Sequence, residues 1–143
     1  RYEANIADLY EPYVCPQENN HRTDVSWFAL TGKKNALLIV ADSLLEFNVS
    51  NYPLESFDSG DHRDDGRQRP ENPGQRHNCD PKPAELVDLF IDYRMMGLGG
   101  DDSWGAQPHE EYQINLAPGK ISYGFSLIPL DKNANFEKAI KQY

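Results

Sequence analysis

An all-β fold, an antiparallel β-sandwich in one domain over residues 1–143, is what this sequence predicts. Three observations carry the prediction. Short apolar runs show period-two alternation, which suits strands with one covered face. The runs are joined by turn signals with no strand–helix–strand rhythm, which argues against a parallel sheet. Aromatic residues make up 11% of the chain, and Gly and Pro number ten each, a mix that favours strands and loops over a helix bundle. A chain of 143 residues buries roughly two thirds of its unfolded surface, enough for one core.

The elements follow in order. Val25-Ser26-Trp27-Phe28-Ala29-Leu30 reads as a strand with Val25, Trp27 and Ala29 on one side and Phe28 and Leu30 on the other. The apolar run 36–41, bounded by Gly32-Lys33-Lys34-Asn35 and Asp42-Ser43, reads as a strand covered on both faces. Leu45, Phe47 and Val49 alternate with Glu46, Asn48 and Ser50, which predicts a strand with one wet face. Residues 58–83 contain no Val, Ile, Leu, Met or aromatic residue, but do contain Gly60, Gly66, Gly74, Pro70, Pro73, Pro81 and Pro83. A segment without apolar area to bury predicts a long polar loop. Residues 86–93 form another strand-like run. Tyr112, Ile114 and Leu116, then Ile121, Tyr123, Phe125 and Leu127, alternate around Pro118-Gly119, which predicts an antiparallel hairpin. Phe136, Ala139 and Ile140 have helical spacing, so a short C-terminal helix closes the chain.

Composition narrows function. Fourteen basic against 23 acidic residues give a net charge of −9, and no Lys/Arg run offsets it, so neither nucleic acid nor anionic membrane is an expected partner. No apolar stretch reaches the roughly 18 residues of a membrane span, and the opening Arg-Tyr-Glu-Ala-Asn lacks a signal-peptide pattern. Cys15 and Cys79 make no disulfide scaffold, though one bridge between them is open. His21, His62, His77 and His109 are scattered, and His109-Glu110-Glu111 lacks the helical pairing of a zinc hydrolase, so no metal or cofactor is expected in this chain.

Gly97-Leu98-Gly99-Gly100-Asp101-Asp102-Ser103-Trp104 is the segment that carries chemistry. Gly99 and Gly100 permit backbone conformations closed to other residues, and Asp101 and Asp102 lock turns through their carboxylates. Trp104 on such a support is a platform for the apolar face of a sugar; packing into the end of the sandwich is its structural alternative. The spacing is not that of a dinucleotide-binding glycine loop. Adjacent aspartates on a turn point apart, whereas a glycosidase needs carboxyl groups roughly 5–9.5 Å apart across one bond, so no catalytic residue is assigned here.

Residues 91–104, Ile-Asp-Tyr-Arg-Met-Met-Gly-Leu-Gly-Gly-Asp-Asp-Ser-Trp, closely resemble the C-terminal domain of the large bacterial β-galactosidases of glycoside hydrolase family 2. Residues 8–19, Asp-Leu-Tyr-Glu-Pro-Tyr-Val-Cys-Pro-Gln-Glu-Asn, followed by Arg22-Thr23, resemble that family's Tyr-x-Pro-Tyr-x-x-Pro-x-Glu-Asn segment. Residues 47–52, Phe-Asn-Val-Ser-Asn-Tyr, resemble its Phe-Asn-(Ile/Val)-Ser-x-Tyr strand. The three blocks stand in the family's order and span most of the chain. Departures are Asn20 where many members carry Gly, the enlarged 58–83 loop, and the residues after Leu130.

The resemblance implies a fragment: roughly the second half of a galactose-mutarotase-like sandwich in a retaining β-galactosidase, inactive alone, whose catalytic glutamates lie in an upstream TIM barrel. It implies that Trp104 binds the β-galactoside, with Gly99, Gly100, Asp101 and Asp102 as support. It implies Mg and Na ions in other domains, partnership with those domains, and a homo-oligomeric parent; the compartment, bacterial cytoplasm or periplasm, stays open. Two alternatives stand beside it: a free-standing carbohydrate-binding sandwich, and a mutarotase-like enzyme that would use a histidine near Trp104, of which His109 is nearest in sequence.

Overall fold

The fold is an antiparallel sheet with one short helix, in a computed structural model that describes residues 2–11, 20–57, 81–96, 105–115 and 119–143. Among the described residues it is a four-stranded sheet that does not close into a barrel, as an all-β, sandwich-like class requires. Strand β1 is Arg22–Thr31, β2 is Asn35–Ser50, β3 is Asp88–Asp92 and β4 is Phe125–Asp131. The sheet order is β1-β2-β3, and β4 also pairs with β2. Residues 32–34 are too short for a parallel crossover, so β1 and β2 run antiparallel. The Gly32 amide donates to the Asn35 carbonyl at 2.8 Å and closes that turn.

The strand predicted over 36–41 and the alternating stretch 45–50 are one continuous strand, β2. Its first part is covered on both faces as expected: neighbouring Leu38 and Ile39 point opposite ways, and both are 0% exposed. The expected wet face of its second part is not wet. Glu46 is only 8% exposed, because its carboxylate is tied to backbone rather than to solvent.

The predicted hairpin around Pro118-Gly119 is corrected. Glu110–Tyr112 form a 3-10 turn, residues 113–115 are not in a strand, and β4 pairs with β2 instead. Leu116, Ala117 and Pro118 lie outside the described residues. The reason lies in what each pairing buries. Antiparallel register sets Ala36 against Leu130 and Leu38 against Ile128, joining aliphatic side chains on one face. Tyr112, by contrast, stays largely exposed. The covered face of β4 is also the other one: Ile128 is buried while Leu127 is half exposed, since the run through Ile121, Tyr123, Phe125 and Leu127 sits one residue out of phase with the core. Pro129 lacks an N–H and suits a strand that pairs only on one side.

The chain divides into two compact units. One comprises Thr23–Glu46 and Ile91–Tyr143. Its core is Leu38, Val40 and Ile128, with Trp27, Ala29, Leu130, Ala139 and Ile140 packed against it. Trp27 and Ala29 thus share a face, as their spacing predicts. The expected C-terminal helix is present as α1, Phe136–Ile140, capped by the Asn135 side chain, which accepts the Lys138 amide at 2.9 Å.

The other unit comprises Arg1–Arg22 and Phe47–Phe90. Aromatic rings hold it. Tyr10 stacks on Tyr52 with centroids 4.1 Å apart, and Phe57 tilts against both, 6.0 Å from Tyr10 and 6.4 Å from Tyr52. Ser50 sets the turn that delivers Tyr52: its Oγ accepts the Tyr52 amide at 2.9 Å. The Asn20 amide nitrogen donates to the Val49 carbonyl at 3.0 Å, and the Ala84 amide donates to the Asn51 carbonyl at 2.7 Å. Of the 58–83 segment, residues 58–80 lie outside the described residues, as do Cys15 and Cys79.

Candidate functional site

Trp104, Gly99, Gly100, Asp101 and Asp102 lie outside the described residues; what the structure shows is how their flanks are held. Strand β3 runs to Asp92, and residues 93–96 carry the chain toward the glycine segment. Met95 is fixed there: its amide donates to Glu46 Oε2 at 2.7 Å. A buried carboxylate accepting a backbone N–H is a charge-assisted bond, shorter and stronger than a neutral one. Glu46 therefore positions the backbone at Met95.

A second tie sits four residues upstream, in β3. The Tyr123 hydroxyl donates to the Ile91 carbonyl at 2.9 Å. The same ring lies 6.1 Å from Tyr93 at 47° and 6.1 Å from Phe125 at 33°, so three rings run in a row beside the end of β3. Tyr93 and Tyr123 keep much of their surface open to solvent.

Past the glycine segment the chain re-enters at Gly105, with φ of 139°, a conformation L side chains rarely adopt. Pro108 is buried, and the Gln113 side-chain amide donates to its carbonyl at 2.7 Å. The Tyr112 amide donates to the His109 carbonyl at 2.8 Å, which closes the 3-10 turn. His109, the histidine nearest in sequence to Trp104, stands exposed at the head of that turn. Residues 91–96 and 105–115, on either side of that segment in sequence, belong to the same compact unit.

Glu46 and Tyr123 were not legible as site residues. Each sits in an alternating run that reads as ordinary strand pattern; the only signal is a carboxylate between Leu45 and Phe47 in the middle of a strand. Among the described residues no group of three or more His, Cys, Asp or Glu is placed to hold a metal ion.

The family model described as β-galactosidase small chain matches residues 1–127, a stretch that contains all three motif blocks and the Glu46, Met95 and Tyr123 ties. This chain belongs to that family. The β-galactosidase of Priestia megaterium is 28% identical over 133 residues, covering 90% of this chain and 11% of that protein. That of Leuconostoc mesenteroides is 29% identical over 135 residues, covering 94% and 11%. That of Alteromonas mediterranea is 27% identical over 113 residues, covering 79% and 9%. The chain thus spans about a tenth of the length of these curated relatives. It is a domain-sized portion of the β-galactosidase architecture, and within it Glu46 and Tyr123 hold the backbone at Met95 and Ile91.

Proposed function

We propose that this chain is the non-catalytic part of a galactose-mutarotase-like sandwich in a retaining β-galactosidase, and that it contributes Trp104 to the binding of the β-galactoside. The observation that supports this most directly is the family match over residues 1–127, which includes the whole glycine–aspartate–tryptophan segment. The remainder of the polypeptide supplies the carboxylates. One attacks the anomeric carbon, the other protonates the leaving oxygen, and water then releases galactose with retention. No cofactor acts through the residues of this chain, and the parent enzyme assembles as a homo-oligomer.

The size of the contribution follows from area. A sugar face that covers roughly 60–80 Å² of indole gains about 1.5–2 kcal/mol, or about tenfold to thirtyfold in affinity. Millimolar binding alone requires about 4 kcal/mol, so Trp104 by itself cannot retain a sugar. Lactose titrated into this chain, read by tryptophan fluorescence with Trp104→Phe as the reference, is therefore expected to show no saturation below tens of millimolar. Saturable micromolar binding would instead make the chain a sugar-binding module in its own right.

A further inference from the structure

Five of the chain's seven lysines, and none of its seven arginines, fall in residues 31–35 and 131–143. They are Lys33, Lys34, Lys132, Lys138 and Lys141, and they form no run in the sequence. The fold brings them to one end of the unit that comprises Thr23–Glu46 and Ile91–Tyr143. Register sets Asn35 against Asp131, and one step further out the Lys132 amide donates to the Lys34 carbonyl at 3.2 Å. The Ala134 amide then donates to the Asp131 carbonyl at 3.0 Å and turns the chain into α1. That helix has five residues, so Lys138 and Lys141 lie within about 8 Å of its start. All five lysines are exposed. Three of them stand past residue 127, where the family match ends.

The local fold does not favour this gathering. Against Asp131 and Glu137 the five lysines make these residues +3 in a chain of −9, so the remaining residues carry −12. Lys34 and Lys132 stand directly across from one another at the end of the β2–β4 ladder, where like charges destabilise a strand pair. Lys141 at the C-cap of α1 suits the negative end of the helix dipole. That accounts for Lys141 but not for Lys33, Lys34 or Lys132.

The make-up of the patch selects its partner. Lysine lacks the planar fork by which arginine reads phosphate groups. Asp131 and Glu137 within the patch, and the −12 elsewhere, oppose a uniformly anionic polymer or bilayer. A protein surface rich in carboxylates but mixed in sign complements both the lysines and the two acids. Single surface ion pairs are weak, so a separate partner at cellular dilution gains little from this patch. A surface on the same polypeptide is presented at an effective concentration of about a millimolar. The chain spans about a tenth of its curated relatives, which leaves ample polypeptide to carry one. We infer that this lysine end docks on a carboxylate-rich surface in the remainder of its own polypeptide. The inference rests on the chain being part of a longer β-galactosidase polypeptide and not on the role of Trp104.

Acetylation of lysine amines in the full polypeptide, followed residue by residue by mass spectrometry, tests it. Lys120, exposed and outside this end, is the internal reference. At about 10 mM salt, where charges act over about 30 Å, the five lysines are expected to react at least about fivefold more slowly than Lys120. At about 1 M salt, where that length is about 3 Å, the difference is expected to fall below about twofold. Lys132→Glu, which places opposite charges across the ladder from Lys34, is expected to bring Lys33, Lys138 and Lys141 to the Lys120 rate. Lys132→Arg is expected to leave them slow. Equal rates at low salt overturn the inference, as does protection that survives high salt or Lys132→Glu. Protection lost on dilution of the protein would assign the cover to a second molecule, and protection lost to nuclease or detergent would assign it to nucleic acid or lipid; each also overturns it. None of these outcomes touches the Trp104 reading, which is tested by KM.

Discussion

The unit around Leu38 and the unit around Tyr10 are held together by different physics. In the first, aliphatic side chains from β1, β2, β4 and α1 converge on Leu38, Val40 and Ile128, and regular strand register supplies the alignment. In the second, the ring of Tyr10, just after a 3-10 turn near the N-terminus, stacks on Tyr52, some forty residues away, and single hydrogen bonds from Asn20 and Ala84 fix the backbone. The aliphatic unit is aligned by a repeating pattern, whereas the aromatic unit depends on a few contacts between residues far apart in sequence.

Substitutions can sharpen or break this contrast. The largest effect is expected at Leu38, which is 0% exposed. Leu38→Ala should lower stability by about 2–5 kcal/mol in urea denaturation, because a cavity adds to the lost transfer energy. A loss under about 1 kcal/mol would mean the aliphatic cluster is not what holds its unit. Next comes Glu46→Ala, which strips the partner from the Met95 amide. A cost of about 1–3 kcal/mol is expected, with faster amide exchange confined to residues 93–96 and the segment they lead into. Unchanged exchange at Met95 would remove Glu46 from loop positioning. Tyr10→Leu should cost at least about 0.5–1.5 kcal/mol in urea denaturation, from the lost ring pairing with Tyr52 and Phe57. Smallest is Gly124→Ala. A Cβ there runs into the Asp42 carboxylate, but Asp42 is exposed and swings aside, so the change should stay within about 0.5 kcal/mol.

How much of this was legible follows the same division. Trp27 with Ala29 and Ala139 with Ile140 were readable because packing on one face leaves a period in the sequence, and Ile39 because a strand covered on both faces leaves an unbroken apolar run. The pairing of β4 was not. Local alternation through Tyr112 and Ile114 suggests a neighbour close in sequence, whereas the aliphatic match of Leu38 with Ile128 rewards a partner some ninety residues back. The burial of Glu46 was hidden for a related reason: alternation says which residues face together, and only the Met95 amide decides whether that face is wet. In the aromatic unit, nothing in the spacing of Tyr10, Tyr52 and Phe57 announces a stack, and Asn20 shows its value only once its amide is bonded to Val49. Of the candidate site, the glycine–aspartate–tryptophan segment was legible as a motif, while its two anchors were visible only in the fold.

The central claim is that this chain lends one indole to a galactoside site completed elsewhere in the polypeptide. Steady-state kinetics of Trp104→Ala in the full-length enzyme test it most directly. The account predicts a KM for lactose raised about tenfold to thirtyfold, the value of one stacked sugar face. A KM equal to that of the unsubstituted enzyme would contradict it and return Trp104 to packing alone.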